Sequence, residues 1–350
     1  MTYRFNTAFL ERISWKVLLL ITALVFFFLL NLFTGSVSIP FRDALYIFFS
    51  GDAENVVWQN ILLKSRLPQA LTALTAGAAL AVSGLQMQTL FRNPLAGPSV
   101  LGISSGASLG VALVVLLLQG VAGVSLMQPG WLGSAGITAA AFAGAMGVLA
   151  IIILASRKVS DPTVLLIIGI MIGYAGASLV GVLKFYSNQA DLKNYVIWGL
   201  GSFSNVSSEE LAFFVWPVLL MLLISLLFVK PMNLYLLGER YAQNLGVNIP
   251  RIRLMLILLS GMLVAITTAY TGPIAFLGLA VPHIARNFFV SSDHRKLLPL
   301  TMVTGAVIAL MCNAVARMPG FDGALPINTI TSILGAPIVI WVIMKQKTRL

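Results

Sequence analysis

Two histidines, His283 and His294, one cysteine, Cys312, and eleven acidic residues are all that this 350-residue chain offers for metal ligation, nucleophilic attack or general acid-base work. The histidines stand alone, without a second ligand at HExxH or CxxC spacing, so they read as structural side chains and no metal site is expected. No GxxxxGKS/T loop is present to cradle phosphates, so the chain does not bind ATP through a P-loop of its own, and no cofactor is expected. None of the eleven acids lies within an apolar run, where a proton- or sodium-coupled carrier would need one. Cys312 excludes an intramolecular disulfide and, in an apolar stretch, reads as a small buried hydrophobe. The chemistry on offer is that of a passage driven from elsewhere.

The elements that would form such a passage are written in the composition. The chain is 59% hydrophobic and 9% charged, against roughly a quarter charged in a soluble domain. A span needs about 20 mostly apolar residues. Runs of that kind, punctuated by Pro, Gly and charge, predict an all-α polytopic membrane protein with ten helices, at about 15–33, 67–90, 99–118, 132–155, 163–185, 211–229, 253–271, 274–290, 299–316 and 327–344. The first run follows basic residues as a signal peptide would, but it exceeds an h-region of about 7 to 15 residues and reads as a retained span. With ten spans, Arg42, Lys64, Arg66, Lys184, Lys193 and Arg317 fall on one side and the other sixteen of the 22 cations on the opposite side. The positive-inside rule then puts both termini in the cytoplasm. The charge of +11 is thus a matter of topology, with lipid and not nucleic acid as its partner.

Small residues recur every fourth position at Ala73, Gly77 and Ala81, at Gly102, Gly106 and Gly110, and at Gly169, Gly173, Ala177 and Gly181. Such stripes let helices approach closely in lipid, so these three spans are expected inside the bundle. Two kinds of polar interruption separate the spans. The segments at about 34–60 and 186–210 mix aromatics with acids and amides, as interfacial pieces do. The segment at about 231–252 is amphipathic, broken by Gly238 and Gly246 and flanked by cations, as a contact with a soluble partner would be. "FRNPLAGP", from Phe91, reads as a tight turn, because its prolines cannot continue a helix.

The run from Arg66 to Gly110, then "LLGERYAQNLGV", "GPIAFLGLAVPHIARNFF" and "LPINTITSILGAPIVIWVIMK", resembles the FecCD-type permeases of ABC importers, which carry ferric siderophores, haem or cobalamin across the bacterial inner membrane. The resemblance runs from about residue 60 to 345. It implies a single transmembrane domain over 1–350 that works as a homodimer or paired permease, with cytoplasmic ATP-binding subunits and an extracytoplasmic substrate-binding protein. The chain itself would not be an enzyme. Substrate would pass between two permeases, along about 163–185 and 191–202. By the same resemblance, Asn93, Pro94 and Leu95 form one part of a cytoplasmic gate and Ser160 and Asp161, before Pro162, the other. Gly238, Glu239, Ala242 and Gly246 would contact the ATPase. Arg66, Arg317 and Lys64 would pair with acids of the binding protein. The sequence departs from the family's pattern at Gln69, where a second arginine is usual, and at Asn313 and Ala324, where acids are usual. Aromatic and Met side chains such as Met171 and Tyr174 would suit a bulky cargo. The alternative is a gradient-driven carrier without an ATPase partner.

Overall fold

The computed structural model describes residues 7–35, 37, 39–50, 55–118, 131–159, 161–318 and 325–347, and helix occupies each of the ten apolar runs. In chain order the helices are α1 (Thr7–Phe33), α2 (Phe41–Ser50), α3 (Val56–Asn60), α4 (Leu67–Leu90), α5 (Ile103–Ala112), α6 (Trp131–Lys158), α7 (Pro162–Tyr186), α8 (Gln189–Gly199), α9 (Leu211–Leu227), α10 (Val229–Leu236), α11 (Glu239–Asn244), α12 (Ile249–Thr271), α13 (Leu277–Phe289), α14 (His294–Ala316) and α15 (Ile327–Lys347). Among the described residues, six helical stretches are long and apolar enough to cross a bilayer, and a seventh is added if α9 and α10, bent by 52°, count as one. The run expected over 274–290 is helical only from Leu277. Gly272 and Phe276 take positive φ angles of 73° and 66°, and Pro273 between them has no N–H to donate. Asn328 closes this break from α15: its Nδ2 donates to Pro273 O at 2.7 Å and its Oδ1 accepts the Ala275 N–H at 2.8 Å.

The centre is α4, whose apolar window is 89% buried, against 17% for the window in α1. It packs on α12, α13 and α14. Its Ala, Gly, Ser and Thr residues remove bulk, and a Cβ at Gly77 would overlap the Gly305 carbonyl of α14. In lipid such contact and interhelical polar bonds replace the hydrophobic drive. Ser83 meets Ser260 of α12 at 2.6 Å, and Gln86 donates to Ser225 of α9 at 2.8 Å. The first small-residue stripe is therefore internal, as expected. The second is too: Gly106 of α5 faces Gly144 of α6 so closely that a Cβ on either would strike the other's carbonyl. The third departs from expectation. Gly169 packs against residues 100–101, but Ala177 is exposed and nothing lies near Gly181. Helix α7 lies at the surface, with Met171, Tyr174, Leu179 and Val182 more than half exposed. α1 packs on α14, where Asn31 donates to Leu310 O at 2.9 Å.

The helix ends and loops containing Arg92, Arg157, Lys158, Lys230, Arg240, Arg251 and Arg295 form a basic end. Arg66, Lys64 and Arg317 mark the opposite end.

Candidate functional site

At the basic end α4 stops at a turn that the sequence specifies residue by residue. Arg92 adopts φ 46°, outside helical space. The Asn93 side chain accepts the Leu95 N–H at 2.9 Å, and the Asn93 carbonyl accepts the Ala96 N–H at 3.1 Å. This is the Asx geometry for which Asn is favoured at turn starts. Pro94 turns its carbonyl inward, where His283 Nε2 of α13 donates to it at 2.6 Å. Leu95 is left 43% exposed. Just before the turn, Gln88 donates to Leu279 O and accepts from Arg286, and Thr89 lies 2.9 Å from His294 Nε2. The other His294 nitrogen meets Asn233 Oδ1 at 2.8 Å, and Asn233 donates to Asp293. Asp293 accepts the Arg295 N–H as the N-cap of α14; this bond first, and the Asn233 amide second, hold its carboxyl below the usual carboxylate range. Both histidines therefore brace the turn and the end of α4 that leads into it, and among the described residues no group of three metal-ligating side chains occurs.

The second element expected at the gate begins with Asp161, the N-cap of α7, whose side chain accepts the Thr163 N–H at 2.7 Å ahead of Pro162 at the first helical position. Ser160 lies outside the described residues.

The coupling segment turns twice at glycine. Gly238, φ 107°, admits the chain to α11, and Gly246, φ 81°, releases it. The exit is a Schellman motif, with Val247 N–H on Ala242 O at 3.1 Å and Gly246 N–H on Gln243 O at 2.9 Å. Of the expected ATPase contacts, Ala242 points inward and Glu239 is part-exposed but paired. Ala242 is fully buried. Glu239 Oε1 accepts Arg253 Nη2 at 3.0 Å and the Tyr235 hydroxyl, so its charge is spent within the bundle. The exposed face instead carries Leu237, Tyr241 and Leu245, each more than half exposed, with Arg240 and Gly246 beside them. Their spacing of four was legible in the sequence as a helical stripe on a polar segment.

These pieces converge. One cleft of about 670 Å³ is lined by Phe91 and Arg92 from the turn after α4, Pro162 and Thr163 from the start of α7, and residues 237–241 around the start of α11. The profile of the FecCD transport family matches residues 23–345. The chain belongs to the FecCD transport family. It is 35% identical over 302 residues, 85% of this chain and 86% of the relative, to the vitamin B12 import system permease protein BtuC of Citrobacter koseri. It is 36% identical over 314 residues, 89% of this chain and 90% of the relative, to the hemin transport system permease protein HmuU of Yersinia pestis. A solved structure described as an inward-facing metal-chelate type ABC transporter superposes with a TM-score of 0.80 at 34% identity, covering 93% of this chain and 97% of that one. The chain is thus a multi-pass ABC importer permease, and the choice left open by its sequence falls against the gradient-driven carrier.

At the opposite end of this FecCD permease the expected docking residues separate. A π-helical turn, Ile61–Arg66, precedes α4 and leaves Lys64 exposed while Arg66 is 1% exposed. Arg66 is not a surface cation. Its Nη1 donates to Leu32 O at 3.0 Å and Phe33 O at 3.2 Å, and its Nη2 to Val37 O. It satisfies carbonyls that α1 leaves unpaired at its C-terminus, where a cation also complements the helix dipole. Arg317 is half-buried, and its Nη1 has no hydrogen-bond partner among the described residues. Both guanidinium groups reach Gly35, where a Cβ would stand 2.9 Å from a nitrogen of each. Burial, and then the charge of Arg66, push the Arg317 pKa below its usual value.

Two departures from the family pattern also meet here. Gln69 donates to Asn313 Oδ1 at 3.0 Å, and Asn313 donates to Asn31 Oδ1 at 2.7 Å, an amide chain joining α4, α14 and α1. The third departure, Ala324, lies outside the described residues.

Proposed function

We propose that this permease carries a metal chelate, of the ferric siderophore, haem or cobalamin class, across the bacterial inner membrane as one of a pair of permeases. Two separate cytoplasmic ATP-binding subunits drive it and an extracytoplasmic binding protein loads it. The reading rests on one observation above others: gate turn, α7 entrance and coupling segment share a single cleft at the basic end, so a soluble subunit seated on α11 acts directly beside the gate. The cargo class follows the relatives, whose names specify vitamin B12, hemin and a metal chelate. The excess of cations at the basic end supports placing it, with both termini, in the cytoplasm.

Leu237, Tyr241 and Leu245, with Gly246, form the face offered to the ATPase, while Gly238 sets its angle. Asn93, Pro94 and Leu95 close the route, with Asp161 fixing the start of α7 opposite. The uncovered face of α7, carrying Met171, Tyr174, Leu179 and Val182, receives the second permease copy and leaves the route between them, with the whole of 1–350 acting as one transmembrane domain. Lys64 and Arg317 orient the binding protein; exposed pairs of this type contribute about 0–1 kcal/mol each and steer docking more than they hold it.

Proteoliposomes containing the permease, its ATPase subunits and its binding protein test the proposal. ATP-dependent accumulation of a ferric siderophore, hemin or cyanocobalamin is expected, and uptake that persists without ATP overturns it.

A further inference from the structure

Arg253 reaches across three elements. It stands on α12 with its side chain 8% exposed. Nη2 donates to Glu239 Oε1 on α11 at 3.0 Å, and Nη1 donates to Val159 O at 3.2 Å, one residue beyond the end of α6 and three before Pro162 opens α7. Among the described residues this is the one ion pair within 4 Å. It joins three elements through one side chain, α11, α12 and the end of α6. Gly238 and Gly246 are bordered by open space, since a Cβ at either would meet no other atom within 4 Å, and the cleft separates the coupling segment from Pro162 and Thr163. The Val159 carbonyl belongs to a helix end, where carbonyls lack intrahelical partners and need an outside donor. A guanidinium donates along two fixed directions at once, whereas an ammonium acts as a point charge.

We propose that Arg253 is a positioning residue that passes displacement of α11 to the α6–α7 connection, and so to the start of α7, during each ATP cycle. This rests on the importer reading above. A push on α11 moves the Glu239 carboxylate; the guanidinium, held by both partners, transfers that shift to the Val159 carbonyl two residues before the Asp161 cap. The turn at Asn93 is reached by a separate route, through His283 to α13 and, by way of Thr89 and His294, to Asn233 of α10. The relay therefore addresses one half of the gate, the half on the exposed pathway helix.

The test uses the complete transporter in nanodiscs, spin-labelled at Thr163 on α7 and Arg295 on α14, with the distance measured in the absence of nucleotide and after trapping with ATP and vanadate. A nucleotide-driven change of several ångströms is expected in the parent protein. In Arg253→Met that change is lost while ATPase subunits still co-purify and hydrolyse ATP; Arg253→Lys restores only part of it. Glu239→Gln, which keeps the acceptor oxygen and the volume, reduces the change less than Arg253→Met. A full change in Arg253→Met overturns the relay, as does a loss that merely parallels loss of assembly across all three variants. Failure of the parent protein to bind ATPase subunits overturns the importer reading itself, and an assembled parent with no change at Thr163 overturns the relay alone.

Discussion

Each end of the bundle encloses an arginine, and the two are neutralised differently. Arg253 at the basic end meets the carboxylate of Glu239, whereas Arg66 at the opposite end meets only backbone carbonyls, with the half-buried Arg317 drawn in beside it and no acid within reach among the described residues. A buried cation without a counter-ion is retained only where several dipoles replace its water. Arg66 has that replacement because α1 ends against it. The difference separates a brace from a link: Arg66 fastens a helix terminus to the bundle, while Arg253 ties a short helix bounded by two glycines to a neighbouring loop through an ion pair.

The largest effect that would break this contrast is at Arg66. Arg66→Met leaves the Leu32, Phe33 and Val37 carbonyls without their donor and is expected to destabilise the protein by about 3 kcal/mol, read as a fall in thermal unfolding temperature in detergent; a neutral result removes the brace. Next comes the amide chain beside it. Asn313→Asp alone buries an unpaired carboxylate and costs about 2 kcal/mol, whereas Gln69→Arg with Asn313→Asp gives a pair whose coupling recovers about 1–2 kcal/mol in a double-mutant cycle. Additive losses would show that the two departures are unrelated. At the basic end, Glu239→Gln is expected to cost only about 1 kcal/mol, since the carboxylate is part-exposed, and to raise hydrogen exchange in α11 without touching α1. The smallest change is at Arg317. Its Nη1, unpaired among the described residues, and its repulsion from Arg66 lead Arg317→Ala to alter stability by about 0.5 kcal/mol or less, with any shift in the stabilising direction; a large loss would reveal a partner that the contrast denies.

Much of this was legible in the chain. The turn after α4 is local: Asn93, two prolines and Gly102 act within a few residues, and the turn they specify is the turn found. The coupling segment was legible as an amphipathic piece between glycines, but its facing was not. Glu239 and Ala242 were expected at the ATPase contact because they sit in a recognisable motif, yet Ala242 is enclosed by the bundle, Glu239 is only part-exposed, and the most exposed positions belong to Leu237, Tyr241 and Leu245. The α7 stripe misled in the opposite sense, since a pattern that permits close packing does not create a neighbour within one chain. Asn328, which closes the break before α13, carried no signal that distinguished it from any polar residue near a helix start.

Sequence alone therefore determined where the helices run, which end is basic, where the chain turns and what chemistry is missing, because apolar length, proline, glycine and charge act on the backbone that carries them. Only the tertiary structure decided which charges are enclosed. Gln69 and Asn313 are 244 residues apart and look like two separate losses of charge. They become one neutral pair only when α4 and α14 close on each other at Gly77 and Gly305, since the rotation of one packed helix against another is set by the shapes of both.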